Sequence, residues 1–278
     1  MELKKIIRES GFKFNKRFGQ NFIESEILLE KIVELSGVTE KDKVVEIGVG
    51  GGTLTRALSE KAKFVYGFEI DKNLQPVLQK SLSGVENVEI IFKDFMKENL
   101  SELEKEIGEE YVVVANLPYY ITSPIVMRFI EEAKFCRRIV VMVQREVAFR
   151  FCARPATADY GAITAAIGLW GDAAIILDVD RTNFYPQPNV DSAVVRIDKF
   201  YEDRGVIDKK VYRDIVRIAF SSRRKTLVNN MMNYLKISRE KAENILRGSG
   251  IDISVRGETL SVGDFTRLAN VCKKENVL

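Results

Sequence analysis

The sequence predicts an α/β protein, a Rossmann-like sheet followed by a small C-terminal helical domain. Three observations predict it. Short β-branched runs alternate with amphipathic stretches of helical period up to about residue 200. Lys43-Val44-Val45-Glu46-Ile47 runs straight into Gly48-Val49-Gly50-Gly51-Gly52-Thr53 and then a helical pattern (Leu54, Ala57, Leu58), the strand, glycine turn and helix that open a doubly wound sheet. Beyond the charged stretch Asp198–Asp208, which contains Gly205, the pattern is helical only, so the domain boundary is placed there, with domains 1–200 and 201–278.

Composition removes several classes of chemistry. The chain has no histidine, which excludes imidazole bases, Ser-His-Asp triads and histidine metal sites, and no metal is expected. Cys136, Cys152 and Cys272 are odd in number and form no CxxC pair, as suits a reducing cytoplasm. No apolar run approaches the roughly 20 residues of a membrane span, and the charged N-terminus has no signal-peptide core. A cytoplasmic, membrane-free monomer is expected. Net charge is only +3, so any affinity for nucleic acid must come from local patches.

Taken in order, residues 1–18 form a basic arm: Lys4, Lys5, Arg8, Lys13, Lys16 and Arg17, interleaved with Phe12, Phe14 and Phe18. Such an arm suits a phosphate backbone, but for the first ten residues a frayed, solvated terminus is expected. Gly19-Gln20-Asn21-Phe22 interrupts before a helix whose Ile27, Leu28, Ile32 and Leu35 share a face. Strands are expected at Lys43–Ile47, Phe64–Ile70, Val88–Phe92 and Tyr111–Ala115, each with a polar residue at its carboxyl end, converging on one crevice.

The crevice suggests its ligand. Glu69 follows Gly48 by 21 positions, the separation at which an acid reaches ribose hydroxyls. The glycine run reads G-x-G-x-G followed by Thr53, not the dinucleotide fingerprint. On that loop alone a nicotinamide or flavin enzyme stays possible. S-adenosylmethionine fits better, since it carries a ribose and an adenine but no phosphate.

The run Val112-Val113-Val114-Ala115-Asn116-Leu117-Pro118-Tyr119-Tyr120 delivers unusual groups to the lip of the sheet. Asn116 offers an amide acceptor, Pro118 keeps flanking carbonyls available, and Tyr119 offers a stacking face. That set suits a planar aromatic amine held for attack by its nitrogen. A helix is expected beyond Pro124, then strands at Arg138–Val143, Ala173–Leu177 and Val190–Ile197. Asn183–Asn189 reads as a proline-pinned loop. Its Phe184 is an ordinary core aromatic or a second stacking wall opposite Tyr119. In the helical domain, Arg213, Arg217 and Arg224 form a basic stripe thickened by Arg223 and Lys225, expected to bind RNA.

The chain resembles the ribosomal RNA adenine dimethyltransferase family nearly end to end. The resemblance is carried by Phe18-Gly19-Gln20-Asn21-Phe22, Val45-Glu46-Ile47-Gly48-Val49-Gly50, Phe68-Glu69-Ile70-Asp71, Asn116-Leu117-Pro118-Tyr119, Gln144-Arg145-Glu146-Val147 and Tyr160-Gly161. It continues through Phe184–Val195, Arg223-Arg224-Lys225 and Glu258-Thr259-Leu260-Ser261. It departs at Tyr120, where bacterial members usually carry Asn.

The resemblance implies S-adenosylmethionine as cofactor, with S-adenosylhomocysteine as product. The substrate it implies is two adjacent adenosines in the 3′-terminal hairpin of small-subunit rRNA in a pre-ribosomal 30S particle, dimethylated at N6. It places Asn21, Ile23, Gly48, Gly50, Glu69, Asp94 and Asn116 at the cofactor, with Glu69 on the ribose and Asp94 on the adenine amine. Asn116, Leu117, Pro118, Tyr119 and Phe184 would hold the target base, and Arg217, Arg223, Arg224 and Lys225 the RNA. A large-subunit rRNA methyltransferase of the macrolide-resistance type shares the Asn-Leu-Pro-Tyr core. A non-catalytic assembly factor on the same fold is the other alternative.

Overall fold

The structure, a computed structural model, describes residues 3–15, 19–202 and 204–278. Lys16, Arg17 and Phe18 of the expected basic arm lie outside the described residues. In chain order the elements are α1 (Leu3–Glu9), β1 (Phe22–Ile23), α2 (Glu26–Ser36), β2 (Lys43–Ile47), α3 (Thr53–Ser59), β3 (Phe64–Glu69), α4 (Gln75–Ser81), β4 (Val88–Phe92), α5 (Leu100–Ile107) and β5 (Tyr111–Asn116). There follow α6 (Tyr119–Glu132), β6 (Cys136–Gln144), α7 (Arg145–Phe151), α8 (Ala162–Trp170), β7 (Gly171–Val179), β8 (Phe184–Tyr185) and β9 (Ser192–Lys199). The last helices are α9 (Lys209–Phe220), α10 (Leu227–Leu235), α11 (Arg239–Gly248) and α12 (Val262–Lys274).

The central runs β2, β3, β5 and β6 pair side by side because they are largely apolar on both faces and must be covered on both. The sheet order is β4-β3-β2-β5-β6-β9-β7. The first five strands are parallel, and β9 runs antiparallel to β6. With a side-chain period of two, Val44, Val65, Val112, Val114, Val140 and Val194 share one face and pack with residues of α2 and α3 such as Ile32 and Leu58. Each such buried aliphatic side chain contributes about 1.5–3 kcal/mol. The aromatic cluster of Phe68, Phe95, Phe129 and Tyr111 packs ring against ring with α6.

Two compact units result: residues 1–148 with 173–199, and residues 149–172 with 200–278. The second unit therefore takes in α8, which the sequence reading grouped with the first 200 residues. Its apolar period shows that α8 is buried, not which core it joins. Tyr212 Oη donates to the Ala165 carbonyl at 2.9 Å, and Tyr160 Oη to that of Leu260 at 2.8 Å, fixing α8 and its preceding turn to the core of Tyr212, Leu227, Met231, Leu246 and Phe265.

Three local expectations are corrected. Residues 3–9 are not frayed. They form α1, whose Leu3 and Ile7 are buried with Phe22, Val49 and Leu78. Apolar residues at i and i+4 within a mostly charged segment carry that signal. The helix expected beyond Pro124 begins at Tyr119 instead. Its first turn is held by Ile121 N–H and Thr122 Oγ1 on the Pro118 carbonyl, at 3.1 and 3.3 Å. Pro124 removes only the donor to the Tyr120 carbonyl. Within the proline-pinned loop, Phe184 and Tyr185 form a short strand antiparallel to Phe22 and Ile23.

Candidate active site

The crevice follows from the strand order. In β2, Ile47 pairs with Phe68 of β3 on one side and Ala115 of β5 on the other, so Gly48, Glu69 and Asn116 reach the end of the sheet at one level. The chain progresses outward from β2 in both directions, and the loops leaving β2 and β5 part at this switch point. The cleft there, counted with the solvent at its open mouth, has about 1050 Å³ of space unfilled by protein atoms. Every residue expected to hold the cofactor or the target base lines it, from Asn21 to Phe184.

The glycine loop is held by its own protein contacts. Gly48 N–H donates to the Phe68 carbonyl at 2.8 Å, Gly50 N–H to Glu69 Oε2 at 2.8 Å, and Gly52 N–H to the Val49 carbonyl at 3.0 Å. Gly48 and Gly50 sit at φ of 77° and 57°, the left-handed region that favours glycine. A Cβ at Gly50 would also come within 2.9 Å of the Phe22 ring. With these donors already used, the loop suits a cofactor that presents no phosphate.

Glu69 joins the loop to the next strand. Its second oxygen, Oε1, accepts the Asp71 N–H at 2.8 Å. Burial raises its pKa, and the backbone N–H groups work against that rise. The lone pairs that these backbone groups leave free are the kind of acceptor that ribose hydroxyls need. Asp94 caps the turn after β4, its Oδ1 accepting the Met96 N–H at 3.0 Å. Beside it, Ile70 and Met96 expose apolar surface at the cleft, a fit for an adenine ring.

The segment before α2 closes the cleft from the other side. Gln20 Nε2 donates to Asp71 Oδ2 at 2.9 Å. Asn21 Nδ2 donates to the Gly19 carbonyl at 3.1 Å, and the Asn21 carbonyl accepts from Asn116 Nδ2 at 3.1 Å. Ile23 is buried, and its carbonyl accepts Thr53 Oγ1 at 3.1 Å. Asn116 thus directs its amide nitrogen to Asn21 and keeps Oδ1 for the cleft.

Leu117 is buried beneath the motif, and Pro118 caps α6. Tyr119 is the first residue of that helix, and its hydroxyl shares a 2.9 Å hydrogen bond with Ser192 Oγ. Burial raises the phenol's pKa, so Tyr119 is neutral at physiological pH. Phe184 is 4% exposed and packs in the core with residues of α2 and α3, as the core reading expects, and it also lines the cleft.

Sequence reasoning passed over two groups. Ser192, fully buried, orients Tyr119; a lone serine opening an apolar strand was its only signal. Glu46 also lines the cleft and is fully buried, and neither of its oxygens nor Thr55 Oγ1 has a partner at hydrogen-bond distance. Burial above all, with the Glu69 charge adding to it and Thr55 opposing, pushes its pKa up to about 8. A charged residue inside an otherwise apolar strand was visible in the sequence.

In the second unit the basic stripe is less free than its spacing suggests. Asp214 interrupts it, pairing with Arg217 at 3.0 Å, and Arg217 also lies 5.5 Å from the Tyr234 ring centroid. Helix α9 ends at Phe220, so Arg224 belongs to the following turn and not to the Arg213 and Arg217 face. Arg223 donates to the Ala158 and Tyr160 carbonyls. Arg224 and Lys225 are exposed.

A doubly wound sheet with a buried glutamate beside the glycine loop and an amide acceptor at the switch point is the arrangement of an S-adenosylmethionine-dependent methyltransferase. The family model for ribosomal RNA adenine dimethylase matches residues 11–274. Ribosomal RNA small subunit methyltransferase A of Geobacillus thermodenitrificans is 44% identical over 277 residues, covering 96% of this chain and 94% of that protein. Among solved structures, a dimethyladenosine transferase from Plasmodium falciparum superposes with a TM-score of 0.79 at 25% identity, covering 92% of this chain and 98% of the other. The 23S rRNA methyltransferase ErmE gives 0.68 at 26% identity, covering 91% and 100%. The chain belongs to the ribosomal RNA adenine dimethylase family.

Proposed function

We propose that this protein dimethylates N6 of two adjacent adenosines in the 3′-terminal hairpin of small-subunit rRNA, acting as a cytoplasmic monomer on a pre-ribosomal 30S particle. The observation that carries the proposal is the Asn116 amide. Its donor is held by the Asn21 carbonyl, so its acceptor stays at the strand end beside the Glu69 and Asp94 cleft. The 44% identity to a small subunit methyltransferase supports that substrate over a large-subunit one.

The cofactor supplies an electrophilic methyl group on a sulfonium. The residues of this chain prepare the amine for it. Adenine N6 is a poor nucleophile because its lone pair is delocalised into the ring. Unstacking the base costs a few kcal/mol, and stacking returns about 1–3 kcal/mol per base on walls such as Tyr119 and Phe184. Asn116 Oδ1 and the Leu117 carbonyl accept the N6 hydrogens, the Pro118 carbonyl being taken by Ile121 N–H and Thr122 Oγ1, which favours a tetrahedral, positive nitrogen with its lone pair aimed at the methyl. No general base is required, because the N6 proton becomes acidic once the nitrogen bears the methyl. Arg224 and Lys225, exposed in the turn after α9, are assigned to the RNA backbone together with Arg217 of that helix, whereas Arg223 acts through the turn it holds.

The test is transfer of labelled methyl groups to small subunits from cells lacking this activity, with large subunits and naked rRNA as controls. Dimethyladenosine confined to the small subunit is expected. Label on the large subunit would assign the protein to the resistance-type activity, and binding without label would make it an assembly factor.

A further inference from the structure

Arg128 lies on α6 and does not itself line the cleft, yet its side chain is only 10% exposed. Its three nitrogens are all engaged. Nη1 donates to the Phe95 carbonyl, Nη2 to the Glu98 carbonyl, and Nε to Glu132 Oε2 at 3.1 Å. The guanidinium carbon sits 5.5 Å from the Phe95 ring centroid, and that ring stacks on Phe129 of the same helix at 5.3 Å. The clamped segment is the turn that Asp94 caps, closed by Lys97 N–H on the Asp94 carbonyl at 3.0 Å and Glu98 N–H on the Phe95 carbonyl at 3.1 Å.

We propose that Arg128 is a positioning residue for the cofactor's adenine pocket, holding the Asp94–Glu98 turn so that the Asp94 carboxylate meets the adenine amine; this rests on the assignment of Asp94 above. A guanidinium suits the task because its planar fork holds two carbonyls in a fixed geometry, whereas the donors of an ammonium rotate on a flexible stem. An apolar side chain would fill the same space without desolvating a charge, so packing alone does not call for arginine here. The same helix begins at Tyr119 and lines the cleft with Ile121 and Ile125. One rigid element therefore carries the target-base residue at its start and the clamp on the adenine side further along, which sets the spacing between the two pockets.

The test is calorimetric binding of S-adenosylhomocysteine and of S-inosylhomocysteine, in which a carbonyl replaces the amine. The wild type, Arg128→Met, Arg128→Lys and Asp94→Ala are compared. The wild type should prefer the adenosyl ligand. Arg128→Met should cut that preference about tenfold, the size of one charge-assisted hydrogen bond, and Arg128→Lys should restore part of it. In the ligand-free protein, amide exchange at Met96, Lys97 and Glu98 should accelerate in Arg128→Met. Equal weakening of both ligands, or none, would overturn the proposal and leave Arg128 a stabilising residue only. A preference that survives Asp94→Ala would instead remove the assignment of Asp94, and the proposal with it. Arg128→Lys, which keeps the charge and one hydrogen bond, decides the comparison if the Met variant does not fold.

Discussion

The side-chain amide of Asn116 donates to the backbone carbonyl of Asn21 at 3.1 Å, across 95 positions of sequence. This hydrogen bond joins the strand end that presents the target-base acceptor to the segment that closes the cofactor cleft. It also decides which end of the amide faces the substrate.

Asn116→Ala should lower the single-turnover methyl-transfer rate by about 10²- to 10³-fold, the cost of removing a preorganised acceptor, while RNA affinity in a filter-binding assay changes little. Asn116→Asp keeps an acceptor but sets a carboxylate against the Asn21 carbonyl, so it should not restore the rate. A normal rate in the alanine variant would remove Asn116 from the mechanism.

Glu46 makes stability depend on pH. Its pKa is about 8 in the folded chain against an ordinary 4.5, so the folded state binds more protons than the unfolded state between those values. Stability from this group is complete below the ordinary value and is lost as pH rises toward about 8. Urea unfolding across that window should show a falling midpoint in the wild type and a flatter profile in Glu46→Gln. Parallel profiles would mean that Glu46 is ionised throughout.

The Arg223-Arg224-Lys225 triplet should divide. Arg223→Ala should lower the melting temperature, because the Ala158 and Tyr160 carbonyls would be left without their donor. The double variant Arg224→Ala, Lys225→Ala should melt normally but weaken RNA binding, reducing the slope of log K against log salt by about one for each phosphate no longer neutralised. An unchanged slope would place the RNA elsewhere.

Helix α1 should matter to the cofactor without touching it. A Cβ at Gly51 would come within 2.6 Å of the Leu3 side chain, so the helix lies directly on the glycine loop. Leu3→Ala should destabilise the protein by about 2–5 kcal/mol, the range for a large-to-small core substitution, and weaken binding of S-adenosylhomocysteine. Calorimetry on the variant at low temperature, where it remains folded, separates the two effects. Unaltered affinity there would show the loop to be self-supporting.

What the sequence determined by itself was whatever depends on local pattern. The β-branched runs gave strands, the glycines after Ile47 gave a turn open to close approach, and the spacing from Gly48 to Glu69 brought an acid to the end of the neighbouring strand. The motif residues found in this way do line one cleft. What the tertiary structure alone decided depends on partners distant in the chain. Asn21 and Asn116, Tyr119 and Ser192, and Arg128 and the Phe95 carbonyl are joined by hydrogen bonds that no periodicity announces. The same holds for charge: Arg223 and Lys225 are both exposed and look alike in sequence, yet the fold ties Arg223 to the Ala158 and Tyr160 carbonyls. Local propensity acts over a few residues, whereas a side chain's role is set by which carbonyl or ring the folded chain brings within about 3–5 Å of it.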